Sequence, residues 1–231
     1  MGMQLAAALV HVFTALGIVC ALFATQAISD KSWTVLFAWL GVAFLIDGID
    51  GTFARMVNVG VKLPRFSGER LDLVIDYVTY VYVPAWALVS AGFLPGDLGF
   101  LLAALILLSS LFHFSDEDSK ADDLSFVGFP AIWNIVAFYL FAFAVPASWA
   151  MAIVTLCVVL TFVPMKWVHP LRVERLMGVT IVATLAWSAA AIAIVWHGFE
   201  APPFWARAVL VAVLLYGAGL AVLSFRGPRT S

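Results

Sequence analysis

Eight apolar stretches follow one another along the chain: Leu5–Ser29, Trp33–Arg55, Leu71–Phe93, Leu98–Phe114, Phe129–Val145, Trp149–Val168, Leu176–His197 and Phe204–Phe225. A helix of about 20 apolar residues crosses the ~30 Å hydrocarbon layer of a bilayer. In lipid the backbone must satisfy its own hydrogen bonds, so such stretches become helices. The gaps carry turn chemistry, as in Leu94-Pro95-Gly96-Asp97 and Ala201-Pro202-Pro203, and Pro146 divides the fifth stretch from the sixth. The fourth and fifth are the shortest. The expected fold is all-α, a polytopic integral membrane bundle of about eight transmembrane helices, with residues 1–231 forming one membrane-embedded domain.

Charge supports this and removes other classes. Only 11% of the 231 residues are charged and the net charge is −2, against about 25% charged in a soluble domain. Nothing suggests a nucleic-acid partner. Cys20 and Cys157 sit far apart in apolar runs, without metal or redox spacing. No Lys or Arg precedes the first stretch, which is also longer than the apolar core of a leader, so it reads as a retained span. With the N-terminus inside, Arg55, Lys62, Arg65, Arg70, Lys120, Lys166, Arg172, Arg175, Arg226 and Arg229 fall on the cytoplasmic side. Only Lys31 and Arg207 fall outside. The positive-inside rule therefore places both termini in the cytoplasm. Trp33, Trp149, Trp196 and Trp205 then stand at the outer interface as anchors.

Against this apolar background four carboxylates are conspicuous. A charge inside a span costs about 2.5–3.5 kcal/mol on insertion scales, yet Asp47 and Asp50 end the second stretch and Asp72 and Asp76 begin the third. The loop between them is cytoplasmic, so all four lie at similar depth. At about 100° per residue, Asp47, Asp50, Gly51 and Ala54 share a face bordered by Arg55, and Asp72 and Asp76 share another. Four facing anions require protons or cations. A cluster of oxygen ligands without His or Cys suits Mg²⁺ or Mn²⁺, and two ions would balance four charges. Gly51 and Ala54 read either as close helix packing or as the floor of a ligand groove, and the carboxylates beside them favour the groove. Arg55 reads either as an interfacial anchor or as a fork for phosphate. A relay of protons or ions would spread acids through the depth of the membrane. One layer beside an Arg-rich loop fits a phosphate-bearing substrate better.

These residues spell Asp47-x-x-Asp50-Gly51-x-x-Ala54-Arg55, then Gly68-x-x-x-Asp72-x-x-x-Asp76. The pattern resembles the motif of the CDP-alcohol phosphatidyltransferase family at all eight defined positions. The one departure is the interval of twelve residues between Arg55 and Gly68, where most of the family has about eight. That longer loop resembles one branch, the bacterial phosphatidylcholine synthases. So do Leu63-Pro64-Arg65-Phe66, the acidic run from Asp116 to Asp123, Phe126 to Asn134, and Val168-His169-Pro170-Leu171-Arg172.

The resemblance implies a divalent-metal enzyme of a bacterial inner membrane, working as a homodimer. It would transfer the phosphatidyl group of CDP-diacylglycerol to choline and release CMP. It implies Asp47, Asp50, Asp72 and Asp76 as metal ligands, with Asp76 also the base that takes the alcohol proton. Gly51, Ala54, Arg55 and Gly68 would meet CDP-diacylglycerol. A quaternary ammonium donates no N–H bond and is met by aromatic faces. Tyr80, four residues beyond Asp76, and Trp133 are the choline candidates, chosen from the aromatics Tyr77, Tyr80, Tyr82, Trp86 and Trp133. For any one of them, ordinary aromatic packing is the stronger reading. The acidic run reads as a solvated loop or as an attractor for choline. His113 and His169 flank cytoplasmic loops, His11 reads as an interior polar contact, and His197 lies near the outer surface. Two other readings stand beside this one: the same chemistry with serine, inositol phosphate or glycerol phosphate as acceptor, and a cation transporter using the carboxylate layer.

Overall fold

The structure, a computed structural model, describes residues 2–116, 126–163, 166–167 and 177–225. Ten helices follow in order: α1 (Gly2–Ser29), α2 (Trp33–Val57), α3 (Val59–Lys62), α4 (Gly68–Asp76), α5 (Val83–Ser90), α6 (Gly96–Ser115), α7 (Trp133–Ala142), α8 (Ala147–Thr161), α9 (Met177–His197) and α10 (Phe204–Phe225). A π-helical stretch, Tyr77–Tyr82, fuses α4 to α5. Two-residue strands β1 (Phe126–Val127) and β2 (Lys166–Trp167) pair antiparallel. The protein is therefore a polytopic helical membrane bundle, with an apolar helix inside each of the eight stretches.

Five of these helices or fused helices are long and apolar enough to cross a membrane, and three are shorter. The sharpest difference from the sequence expectation is α7. It occupies ten residues of the Phe129–Val145 stretch. The chain enters it through Pro130 and Ala131 at φ 53°, and leaves through Ala144 at φ 45° ahead of Pro146. Left-handed backbone and proline stop a helix at both ends.

The third span has an internal irregularity with a visible cause. Pro84 has no N–H to give the carbonyl of Tyr80, and its ring would press on that carbonyl in a regular helix. The backbone widens to π geometry over the preceding turn, as helices do where the i→i−4 ladder is broken.

The main core is apolar and aromatic. Phe37, Phe138, Phe141 and Phe199 meet with ring centroids 4.9–5.8 Å apart. This cluster fastens the start of α2 to α7 and to the turn after α9. At the other end of α2, α1 packs against α2, α3 and α4. The approach of α1 to α4 is close because Gly17 lacks a side chain: a Cβ there would lie 2.6 Å from Ile75 Cγ2.

Candidate active site

The loop that differs in length is built as a capped helical corner. Asn58 ends α2 in left-handed geometry, φ 54° and ψ 51°, and its N–H reaches the carbonyls of Ala54 and Arg55. Asn tolerates that conformation better than most residues. Within the longer interval, Val59–Lys62 form α3. Its Val59 is buried with Ala7 and Val10 of α1. Ser67 opens α4 by accepting the N–H of Arg70 at 3.2 Å, an ordinary helix N-cap. The corner is thus pinned to α1.

Beneath it lies a groove of about 700 Å³ between α1, the end of α2, the corner and the start of α4. Its walls include Asp50, Gly51, Ala54, Arg55, Gly68 and Asp72. Of the face expected on α2, Asp50, Gly51 and Ala54 line the groove, while Asp47 is not among its lining residues. A Cβ on Gly51 would meet only the Arg55 guanidinium, at 3.5 Å. Arg55 is exposed and lines the groove, and its Nη2 donates to Thr52 Oγ1 at 3.2 Å.

Carboxylate oxygens of Asp47, Asp50 and Asp72 lie within 4.8 Å of one another, with Asp50 buried at 7% exposure. Three hard oxygen donors at this spacing on two rigid helices fit a divalent ion such as Mg²⁺ or Mn²⁺. Asp76, one turn beyond Asp72, is not in the 4.8 Å set. Its charge nonetheless bears on Tyr80, as do those of Asp47 and Asp72.

Tyr80 donates its hydroxyl to Asp47 Oδ2 at 2.6 Å. A short bond of this kind to a carboxylate is strong, and it fixes which way the acid points. It joins α2 to the π-helical stretch 33 residues later. The sequence marked Tyr80 only as an aromatic face, and the hydroxyl contact is what the structure adds. The other choline candidate stands elsewhere. Trp133 is wholly buried, with its indole N–H on Ser110 Oγ at 2.8 Å and its ring against Phe129. It is a core residue because its large apolar ring and single donor are both satisfied there. Tyr77 is also turned away, donating to the Leu107 carbonyl at 2.9 Å, while Tyr82 and Trp86 are exposed on the bundle surface.

The histidines divide similarly. His11 of α1 lines the groove. His113 is half-buried near the end of α6, edge-on to Phe114, and His197 ends α9. His169, Arg172 and the acidic residues Glu117–Asp123 lie outside the described residues.

No protein-family model matches the chain. Curated relatives do. The chain is 42% identical over 208 residues to the phosphatidylcholine synthase of Agrobacterium fabrum, covering 90% of this chain and 86% of the relative. It is 47% identical over 186 residues to that of Bradyrhizobium diazoefficiens, covering 80% and 70%. The chain belongs to the phosphatidylcholine synthase family. A third relative agrees: the phosphatidylcholine synthase of Pseudomonas aeruginosa is 43% identical over 178 residues, covering 77% of this chain and 75% of the relative. Membership gives the carboxylate cluster and the groove a chemical context, since the family's product carries a phosphodiester.

Proposed function

We propose that this chain transfers the phosphatidyl group of CDP-diacylglycerol to choline, forming phosphatidylcholine and releasing CMP. The observation that carries the reading is the cluster of Asp47, Asp50 and Asp72 beside a groove whose floor is Gly51 and Ala54 and whose rim holds Arg55. Such a groove admits a nucleotide against the backbone of α2 and offers a guanidinium to its phosphates.

Asp47, Asp50, Asp72 and Asp76 would hold Mn²⁺ or Mg²⁺, two ions in all. When bound, the metal supplies charge neutralisation for the pyrophosphate and for CMP as it leaves. The rest falls to the chain. Asp76 takes the proton of the choline hydroxyl. The choline oxygen then bonds to the phosphorus that bears diacylglycerol, the bond from that phosphorus to the bridging oxygen breaks, and CMP departs with the electron pair. Arg55 and Gly68 border the phosphates, Tyr80 steadies Asp47, and its ring edges the site where the trimethylammonium group would sit. The corner with Lys62, Arg65 and Arg70 faces the cytoplasm, as the excess of basic residues supports. The chain works as a homodimer in a bacterial inner membrane, drawing its lipid substrate from the bilayer.

The test is CMP release by purified protein in detergent with CDP-diacylglycerol and Mn²⁺. Choline, serine, glycerol 3-phosphate and inositol phosphate are compared, with Asp76→Asn as control. Choline-dependent release that Asp76→Asn abolishes is expected. Release with another alcohol would replace the acceptor. Metal flux in proteoliposomes with no CMP release from folded protein would replace the enzyme by a transporter.

A further inference from the structure

We infer that His11 is a substrate-binding residue, hydrogen-bonding the nucleotide moiety of CDP-diacylglycerol from the α1 side of the groove. The inference deepens the proposed reaction and rests on it.

His11 Nε2 is the buried side-chain nitrogen that has no hydrogen-bond partner among the described residues. Leaving a polar group buried and unpaired costs about 1–3 kcal/mol, and such groups in native proteins usually point to a missing partner. Nothing in an apolar span requires histidine for packing. Neighbouring positions of α1 are filled by Val10 and Thr14, and Thr14 satisfies its own hydroxyl on the Val10 carbonyl at 3.3 Å.

The location says what the partner is. His11 lines the same groove as Asp50, Gly51, Arg55 and Asp72. The start of α4 makes room for it: a Cβ on Gly68 would stand 3.2 Å from His11 Cε1 and 3.8 Å from Nδ1. Gly68, a motif position expected to meet the lipid nucleotide, therefore meets the imidazole in this structure. The ring stands between α1 and the first residue of α4, and α4 also brings Asp72. His11 stands apart from the cluster of Asp47, Asp50 and Asp72 and against Gly68, which sets it toward the nucleotide rather than among the carboxylates. The remaining occupant of the groove is the nucleotide, whose phosphate, ribose and base edges all offer acceptors to an N–H.

The experiment measures CMP binding to purified protein in Mn²⁺ by calorimetry, together with steady-state kinetics. His11→Leu fills the space without a donor. His11→Gln places an amide N–H near the position of Nε2 and keeps the hydrogen bond. His11→Leu is expected to weaken CMP about tenfold and to raise KM for CDP-diacylglycerol by a similar factor. KM for choline and the melting temperature without nucleotide should hold, and His11→Gln should restore most of the loss. Cytidine locates the contact: weakening of CMP alone assigns it to phosphate, and equal weakening of cytidine assigns it to the nucleoside. Unchanged CMP affinity in His11→Leu overturns the inference while the reaction stands. Wild-type protein that binds no CMP overturns the proposed function itself.

Discussion

The two ends of α2 solve opposite problems. At its start, Phe37 is enclosed by Phe138, Phe141 and Phe199, and Trp33 lies 5.1 Å from Phe141. At its finish, Asp50, Gly51, Ala54 and Arg55 wall a groove of about 700 Å³. Large rings close the first end, because aromatic faces and edges fill space between helices. The second end has the small residues Gly51 and Ala54 along the groove and carries its charge on the same helix. One continuous helix carries both, so the aromatic end fixes the position of Asp47 and Asp50 at the open end.

This contrast can be broken from either side. Asp50→Ala should cut CMP release at least about 10³-fold, since metal stabilisation of developing charge amounts to several kcal/mol, while the melting temperature in detergent stays close to wild type. Phe141→Ala should do the reverse. Removing a buried ring costs about 3 kcal/mol, at the low end of the range because lipid or detergent fills part of the gap. Thermal unfolding followed by tryptophan fluorescence should drop, with KM for both substrates unchanged in the protein that remains folded. If Phe141→Ala moved KM as much as stability, the two ends of α2 would not be separable.

Tyr80→Phe sharpens the boundary between holding a metal and holding an alcohol. The ring remains and only the bond to Asp47 Oδ2 is lost. Partners that orient a metal ligand contribute about 10–100-fold to affinity. Mn²⁺ binding, followed by electron paramagnetic resonance on protein without substrate, should weaken by about tenfold. KM for choline at saturating Mn²⁺ should hold, because a phenyl face still meets a trimethylammonium group. A rise in the choline KM with unaltered Mn²⁺ affinity would reassign the hydroxyl to the acceptor.

The sequence made the carboxylate layer legible because charge in a span is costly enough to need a purpose, and because helical periodicity puts Asp50, Gly51 and Ala54 on one face. The eight apolar stretches were legible for the same reason of solvent. What periodicity misses is local backbone. It assumes a regular helix through Tyr77–Tyr82, whereas Pro84 widens that turn. It also counts Trp133 as an aromatic near the site without knowing that Ser110 waits for its N–H. For His11 the signal was present, a titratable side chain one turn from Thr14 in an apolar helix. Only the structure shows that its nitrogen has no internal partner among the described residues and that it stands on the groove.

The smallest effect concerns how the open end is kept at the right width. Gly17 lets Ile75 of α4 sit against α1, and a Cβ there would stand 2.6 Å from Ile75 Cγ2. Ile75 lies three residues after Asp72 and one before Asp76, so any displacement of α4 at this contact moves both acids relative to Asp47 and Asp50. Gly17→Ala gains helix propensity of nearly 1 kcal/mol, yet overpacking a tight contact costs about 1–3 kcal/mol. The net effect on melting is therefore small, and the reporter to watch is Mn²⁺ affinity, expected to fall severalfold. Ile75→Ala in the same protein removes the clashing methyl and should restore that affinity, a coupling that two independent substitutions would not show. Additive losses would mean that α4 does not set the spacing of the carboxylates through this contact.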